Sequence, residues 1–128
     1  MGKPTALVIE DDEMLATFFA TAFEDAGYEV MTVHDGEQAI TYLSDNIPTI
    51  ILCDLQLPDV SGEVILSYIS GETKFAATRV FAASVEGTRV NYLQNQVDIV
   101  LTKPVSYRQL LTLAERLHPS FDAGRVGA

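Results

Sequence analysis

The sequence predicts an α/β fold in which a parallel β-sheet carries helices on both faces. Short apolar runs alternate with segments of helical periodicity, which gives five strand–helix pairs in strict order. The third run, residues 50–54, is apolar for four residues before it ends at an aspartate, as in strands buried on both faces. This alternation is typical of parallel strands joined by right-handed helical crossovers.

The first strand is predicted over residues 5–9, an apolar run that stops at residues 10–12, three consecutive acids. Apolar residues in the segment 15–26 then recur at the spacing of one helix face, which indicates an amphipathic helix. Asp12 is expected to cap the N-terminus of this helix, and Gly27 to follow its C-terminus.

The second strand, residues 28–33, alternates apolar and polar residues, which indicates a position near the edge of the sheet. Successive strand residues point to opposite faces, so this alternation leaves one side of the strand polar. Asp35, with Gln38 three positions later, is expected to cap a second helix that continues through Leu43.

The third strand places Asp54 at its carboxyl end, where ligands bind in open α/β sheets. Pro58 and Gly62 follow, so the next segment is expected to be a structured loop that leads into a third helix. That helix covers residues 64–69 and ends by Gly71. An aspartate in the position of Asp54 could also serve only to cap this helix.

The fourth strand, residues 79–83, ends at Ser84. A fourth helix is predicted over residues 87–95, where only Val90 and Leu93 supply apolar spacing. Of the five helices, this one has the weakest pattern.

The fifth strand, residues 97–101, is followed by Thr102, Lys103 and Pro104. Ser106 is expected to cap the last helix, together with a glutamine three positions later. We therefore predict one domain over residues 4–118 and a flexible tail over residues 119–128.

Composition limits the classes of function. The chain has 128 residues, of which 48% are hydrophobic and 20% charged, as in ordinary globular domains. A net charge of −10 argues against nucleic-acid binding. No apolar run approaches the roughly 18 residues of a membrane span, so neither membrane contact nor export is expected, and the predicted location is cytoplasmic. Cys53 is expected to be a small buried hydrophobe, and His34 and His118, which lack metal-ligand spacing, to be surface residues.

Chemically useful side chains follow four of the strands. In a parallel sheet the acids at 10–12, Asp54, Ser84 and Lys103 all come to one edge. Neighbouring carboxylates repel each other unless one is protonated or a cation joins them, and an open set of oxygen ligands favours Mg²⁺. An ionised aspartate can attack phosphorus without a general base, while a metal and a lysine neutralise the transferring group.

These residues resemble the receiver domains of two-component response regulators. The resemblance covers residues 5–117 and rests on the acids after the first strand, the loop 54–62, Ser84 and the pair Lys103-Pro104. Each feature is common alone, but all four in this order are a specific pattern. The resemblance implies a flavodoxin-like sheet with strand order 2-1-3-4-5 and five helices.

The resemblance also implies roles for single residues. Asp54 would accept a phosphoryl group from a phosphohistidine of a sensor histidine kinase or a histidine phosphotransfer protein. Mg²⁺ would be bound by Glu10, Asp11, Asp54 and the backbone carbonyl of Gln56. Ser84 and Lys103 would contact the phosphoryl oxygens as catalytic residues. Such a domain is not an enzyme in the usual sense, but it catalyses its own phosphorylation and dephosphorylation.

The sequence departs from the family pattern at three places. Val100 stands where receiver domains usually carry a Tyr or Phe, so a switch based on a moving ring is not expected. Val85 replaces the usual small residue after the hydroxyl, and we hypothesise that it narrows access to Asp54. Gln96 and Val97 replace a common Gly-Ala pair, which leaves homodimerisation or effector docking through the surface of the fourth helix, fifth strand and fifth helix as an analogy only.

Two other functions are consistent with parts of the pattern. A phosphatase of the haloacid dehalogenase type uses similar groups, but its nucleophile lies near the N-terminus in an Asp-x-Asp pair, and here residue 56 is a glutamine. A receiver-like binding module that is never phosphorylated is the second alternative, suggested by Val85 and Val100. The chain is expected to be either a free-standing receiver or one taken from a longer regulator or hybrid kinase.

Overall fold

The computed structural model describes residues 2–85 and 95–121, and these form a five-stranded sheet flanked by helices. The strands are β1 (Thr5–Ile9), β2 (Glu29–Val33), β3 (Ile50–Asp54), β4 (Arg79–Val85) and β5 (Ile99–Lys103). The helices in these residues are α1 (Glu13–Asp25), α2 (Gly36–Asp45), α3 (Gly62–Ser70), a short 3₁₀ helix (Thr73–Phe75) and a C-terminal helix (Tyr107–Arg116). None of them is long and apolar enough to cross a bilayer.

The strand order is β2-β1-β3-β4-β5 with every neighbouring pair parallel, which confirms the predicted flavodoxin-like topology. The chain adds strands on one side of β1 and then on the other, so a crevice opens between the carboxyl ends of β1 and β3. In the register, Asp54 is paired with Ala83, and Ser84 with Thr102. The polar ends of these strands therefore lie at one edge of the sheet.

Two apolar clusters cover the two faces of the sheet and explain why the central strands are continuously apolar. Alternate residues of β1 enter different clusters: Ala6 and Val8 pack with α1 and the C-terminal helix, whereas Leu7 and Ile9 pack with α2 and α3. Cys53 belongs to the second cluster and is completely buried, as predicted. Burial raises the pKa of its thiol far above the usual range.

The predicted helix caps are confirmed. The carboxylate of Asp12 accepts a hydrogen bond from the Leu15 N–H (2.9 Å), and that of Asp35 accepts one from the Gln38 N–H (2.8 Å). Ser106 caps the C-terminal helix in the same way. Each cap satisfies a backbone donor that has no partner within the helix, which contributes about 1 kcal/mol to stability.

Strand ends differ from the prediction. β4 continues to Val85, and β5 begins and ends two residues later than expected. Just before β5, the Asp98 N–H donates to the carbonyl of Val80 (2.8 Å), while the Asp98 carboxylate accepts the N–H of Val80 (2.7 Å), so a side chain makes part of this contact. The backbone pairing then continues through Thr102 and Lys103 because strand hydrogen bonds do not require apolar side chains.

The histidines, predicted to be surface residues, are partly buried: His34 Nδ1 lies 3.0 Å from the carbonyl oxygen of Glu10, and His118 packs edge-on against the ring of Tyr28. The predicted fourth helix at 87–95 lies almost entirely outside the described residues, as do the last seven positions of the predicted tail.

Candidate functional site

Three acids meet at the carboxyl edge of the sheet. Glu10 follows β1 and Asp54 ends β3, and both are 1% exposed, whereas Asp11 is exposed. One carboxylate oxygen from each lies within 4.8 Å of the other two, which is close enough for a shared cation. Carboxylate oxygens are the ligands that Mg²⁺ and other hard cations prefer, so this donor set fits such an ion.

Lys103 brings a positive charge to this cluster. Its ammonium lies 3.1 Å from Glu10 Oε1 and 3.2 Å from Asp54 Oδ2. Burial alone would lower the pKa of Lys103, but Asp54 and Glu10 outweigh this and raise it above its usual value. The lysine is therefore a fixed positive charge between two buried acids.

The acids nevertheless carry more charge than one ammonium can balance. Burial raises the pKa of Glu10 to about 7, and the charge of Asp54 adds to this rise. Two groups oppose it: the N–H of Asp12, which lies 3.1 Å from Glu10 Oε2, and the ammonium of Lys103. A carboxyl group with this pKa is one whose charge the surroundings do not fully stabilise. Among the residues that the structure describes, three carboxyl groups therefore share one ammonium, a charge balance that suits a divalent cation.

The backbone around Asp54 holds its carboxylate in place. The N–H of Gln56 donates to Asp54 Oδ1 at 2.9 Å, while the other oxygen faces Lys103. Gly62 begins α3 directly against this segment: a Cβ on it would lie 2.6 Å from the carbonyl oxygen of Asp54 and 2.5 Å from the Cα of Leu55. A side chain at Gly62 would therefore displace the strand end that carries Asp54.

The remaining predicted residues lie at the same edge. Ser84 is 3% exposed and lies one position beyond Ala83, the β4 partner of Asp54. Val85 is paired with Lys103 on β5 and is 41% exposed. The structure thus brings Glu10, Asp11, Asp54 and Lys103 into one cluster and places Ser84 on the adjoining strand.

Two residues beside the site were missed by sequence reasoning. His34 contacts the carbonyl oxygen of Glu10, and Asp59 accepts hydrogen bonds from the first N–H groups of α2. Neither contact follows from a spacing rule, since His34 and Asp59 reach across to other segments of the chain. The one available indication was that aspartate often accepts backbone hydrogen bonds in turns and at helix ends.

Comparison with known proteins gives a consistent result. A family model described as the response regulator receiver domain matches residues 6–115. The polar-differentiation response regulator DivK of Brucella anthropi is 26% identical over 105 residues, which cover 80% of this chain and 85% of DivK. The alkaline phosphatase synthesis transcriptional regulatory protein PhoP of Bacillus subtilis is 31% identical over 105 residues, 81% of this chain but 44% of PhoP.

A solved structure agrees with the topology. The chemotaxis response regulator CheY4 of Vibrio cholerae superposes with a TM-score of 0.78 at 21% identity, covering 90% of this chain and 98% of that protein. At this identity the likeness concerns the fold alone.

Proposed function

The chain belongs to the response regulator receiver domain family, and from this premise we propose that Asp54 accepts a phosphoryl group from a phosphohistidine of a partner protein. The donor would be a sensor histidine kinase or a histidine phosphotransfer protein. The observation that carries the proposal is the cluster of Glu10, Asp11 and Asp54 with the ammonium of Lys103 in contact with two of them. A receiver domain is a signalling module, and the chemistry at Asp54 would be its means of switching.

The transfer needs no general base. A carboxylate oxygen of Asp54 forms a bond to phosphorus while the P–N bond to the donor imidazole breaks, and the electron pair of that bond returns to the imidazole. The imidazole then takes up a proton from solvent. Dephosphorylation is a separate hydrolysis: water attacks phosphorus, the bond between phosphorus and Asp54 breaks, and inorganic phosphate leaves while the carboxylate is restored.

The residues around Asp54 suit this reaction because it depends mainly on position and charge neutralisation. Glu10, Asp11, Asp54 and the backbone carbonyl of Gln56 would hold Mg²⁺. The chemistry that a bound Mg²⁺ supplies is neutralisation of charge on the phosphoryl oxygens. Lys103 would pair with one phosphoryl oxygen, and the hydroxyl of Ser84 would donate a hydrogen bond to another.

An apolar depression lies next to the cluster, and we propose it as the docking surface for the donor. Leu15, Phe18 and Pro104 line an apolar depression beside Lys103, and Met14 on the same helix is 83% exposed. Exposed apolar side chains beside a charged site are a common feature of protein interfaces. This surface supports a protein as the phosphodonor. We further propose that the reaction takes place in the cytoplasm, where the family's kinases act on their receivers.

A receiver-like binding module that is never phosphorylated is the alternative function. It is suggested by Val85 and Val100, which replace residues that the family uses near the site and in its switch. Both valines are partly exposed, at 41% and 36%. The intact cluster of acids and lysine favours phosphorylation over this alternative.

The test is to incubate the full chain with Mg²⁺ and acetyl phosphate and to measure its intact mass. We expect the mass of one phosphoryl group to be added to the wild type and none to Asp54→Asn, which keeps the size of the side chain but removes the nucleophile. Beryllium fluoride with Mg²⁺ should shift amide resonances near Asp54 in the wild type only. A wild-type chain that responds to neither reagent would reject the proposal and favour the binding module.

A further inference from the structure

The loop between β3 and α3, residues 55–61, lies against the N-terminus of α2. Asp59 Oδ1 accepts a hydrogen bond from the N–H of Gly36 at 2.8 Å, and Oδ2 accepts one from the N–H of Glu37 at 3.1 Å. These donors belong to the first turn of α2, where backbone N–H groups have no partner within the helix. Asp59 thus caps a helix from which it is separated by 14 to 23 positions in the chain.

The helix also has a cap of its own. Asp35 accepts the N–H of Gln38 at 2.8 Å, so the donors of the first turn are divided between two carboxylates. Asp35 precedes α2 directly and therefore stabilises that helix alone. Asp59 makes the same kind of contact but ties a second segment of the chain to the helix.

Packing beneath Asp59 shows that this contact is close. A Cβ on Gly36 would lie 2.6 Å from the Cβ of Val60 and 3.2 Å from its carbonyl oxygen, so Val60 occupies the space that glycine leaves open. Only at a glycine can the loop approach the helix to this distance. The middle of the loop is therefore fastened to α2 by two hydrogen bonds and by direct contact.

The other end of the loop is part of the site. The N–H of Gln56 donates to the carboxylate of Asp54, and the N–H of Gly62 donates to the carbonyl of Leu55 at 3.3 Å. Only Leu57 and Pro58 separate Gln56 from Asp59, and proline has a fixed φ. A displacement at Asp59 would therefore be carried to Gln56 through a short and stiff connection.

We propose that Asp59 is a positioning residue for the cation site: by holding the loop on α2, it fixes the backbone carbonyl of Gln56 beside Glu10, Asp11 and Asp54. This inference rests on the proposed function, in which that carbonyl is a ligand of Mg²⁺. Removal of a group that orients the ligands of a metal commonly weakens the binding of that metal by about 10- to 100-fold. Leu57 and Val60 remain packed against the core, so the effect here belongs at the lower end of that range.

The experiment compares Asp59→Ala with Asp35→Ala in the full chain. Both variants remove one carboxylate from the N-terminus of α2, so they match in charge and in the loss of a helix cap. Only Asp59→Ala frees the loop. We expect the Kd for Mg²⁺, measured by calorimetry, to rise about tenfold in Asp59→Ala and to stay within about twofold of wild type in Asp35→Ala.

A third variant separates the hydrogen bond from the charge. Asp59→Asn keeps one acceptor oxygen for the N–H of Gly36 and loses the charge, so we expect most of the Mg²⁺ affinity to be restored. If Asp59→Ala does not fold, Asp59→Ser takes its place, since it also removes both carboxylate oxygens. Thermal unfolding of all variants without Mg²⁺ shows that each is folded before its Mg²⁺ affinity is compared.

The outcomes are distinct. Equal Mg²⁺ affinity in Asp59→Ala and Asp35→Ala would overturn the role of Asp59 even if the wild type is phosphorylated normally. An affinity loss in Asp59→Asn as large as in Asp59→Ala would also overturn it, since charge alone would then explain the effect. A wild-type chain that neither binds Mg²⁺ nor becomes phosphorylated would instead refute the proposed function, and the present inference with it.

Discussion

Replacing Lys103 by methionine should destabilise the fold in a pH-dependent manner. The side chain keeps nearly the same length, but the ammonium that lies 3.1 Å from Glu10 and 3.2 Å from Asp54 is lost. At an effective dielectric constant of about 20, unit charges about 3 Å apart interact by about 5 kcal/mol. Dehydration of the ammonium offsets part of this, and loss of one member of a buried pair typically costs about 3–5 kcal/mol.

The size of the effect depends on whether Glu10 is charged. The pKa of Glu10 is about 7 in the fold, above the usual 4.5. The contribution of Glu10 to stability is therefore largest below about pH 4.5 and is lost as the pH rises towards about 7. Without Lys103 the pKa rises further, and Glu10 stays protonated over a wider range. We therefore expect Lys103→Met to cost about 3 kcal/mol near pH 8 and clearly less near pH 5.5.

The assay is urea unfolding followed by circular dichroism in the presence of EDTA at both pH values. Lys74→Met is a suitable control, because the Lys74 ammonium donates to the backbone carbonyls of Leu43 (2.7 Å) and Ser44 (3.2 Å) instead of carboxylates. Its loss of stability should not change with pH. If Lys103→Met costs the same at both pH values, or costs nothing, the charge argument for this cluster is wrong.

Three further predictions can be checked with similar methods. Tyr28→Phe removes a buried hydroxyl that donates to the carbonyl of Ala114 (2.8 Å), and it should cost about 1–2 kcal/mol at neutral pH. Burial raises the pKa of Tyr28 to about 12, so the wild type should lose stability as the pH rises from about 10 towards 12. Urea unfolding of Tyr28→Phe should show a smaller loss of stability over the same pH range. Gly62→Ala should lower stability by about 2 kcal/mol or more and slow phosphorylation by acetyl phosphate, because its Cβ would meet the backbone at Asp54; unchanged melting and phosphorylation rates would contradict this. If Val85 narrows access to Asp54, phosphorylated Val85→Ala should lose its phosphoryl group faster than the wild type, and equal half-lives would reject that idea.

Most of the architecture could be predicted because its causes are local. Strands buried on both faces have to be apolar throughout, and helices that cover a sheet have to repeat apolar residues at their own period, so both are visible in the sequence. The caps at Asp12, Asp35 and Ser106 were predictable for the same reason, since each side chain bonds to a backbone group three positions away. The strand order came from resemblance to a family and was confirmed by the sheet.

What could not be predicted depends on contacts between distant segments. The hydrogen bonds that Asp59 accepts from the start of α2 are not visible as a sequence pattern, because every aspartate in a turn looks the same in the sequence. His118 was assigned to the surface, but its ring packs against Tyr28, which lies some ninety positions earlier in the chain. The limits of β5 were misplaced because the ladder follows backbone pairing, to which Thr102 and Lys103 contribute as well as apolar residues.

The complete burial of Cys53 has a practical consequence for following this protein in solution. The chain has one cysteine and no tryptophan, and the thiol is both shielded from solvent and kept protonated. Thiol-directed dyes should therefore leave the unaltered protein unlabelled, without any need to remove Cys53. A single cysteine introduced at Val100, which is 36% exposed on the strand that carries Lys103, would then be the one labelled position and a background-free optical probe of this part of the sheet.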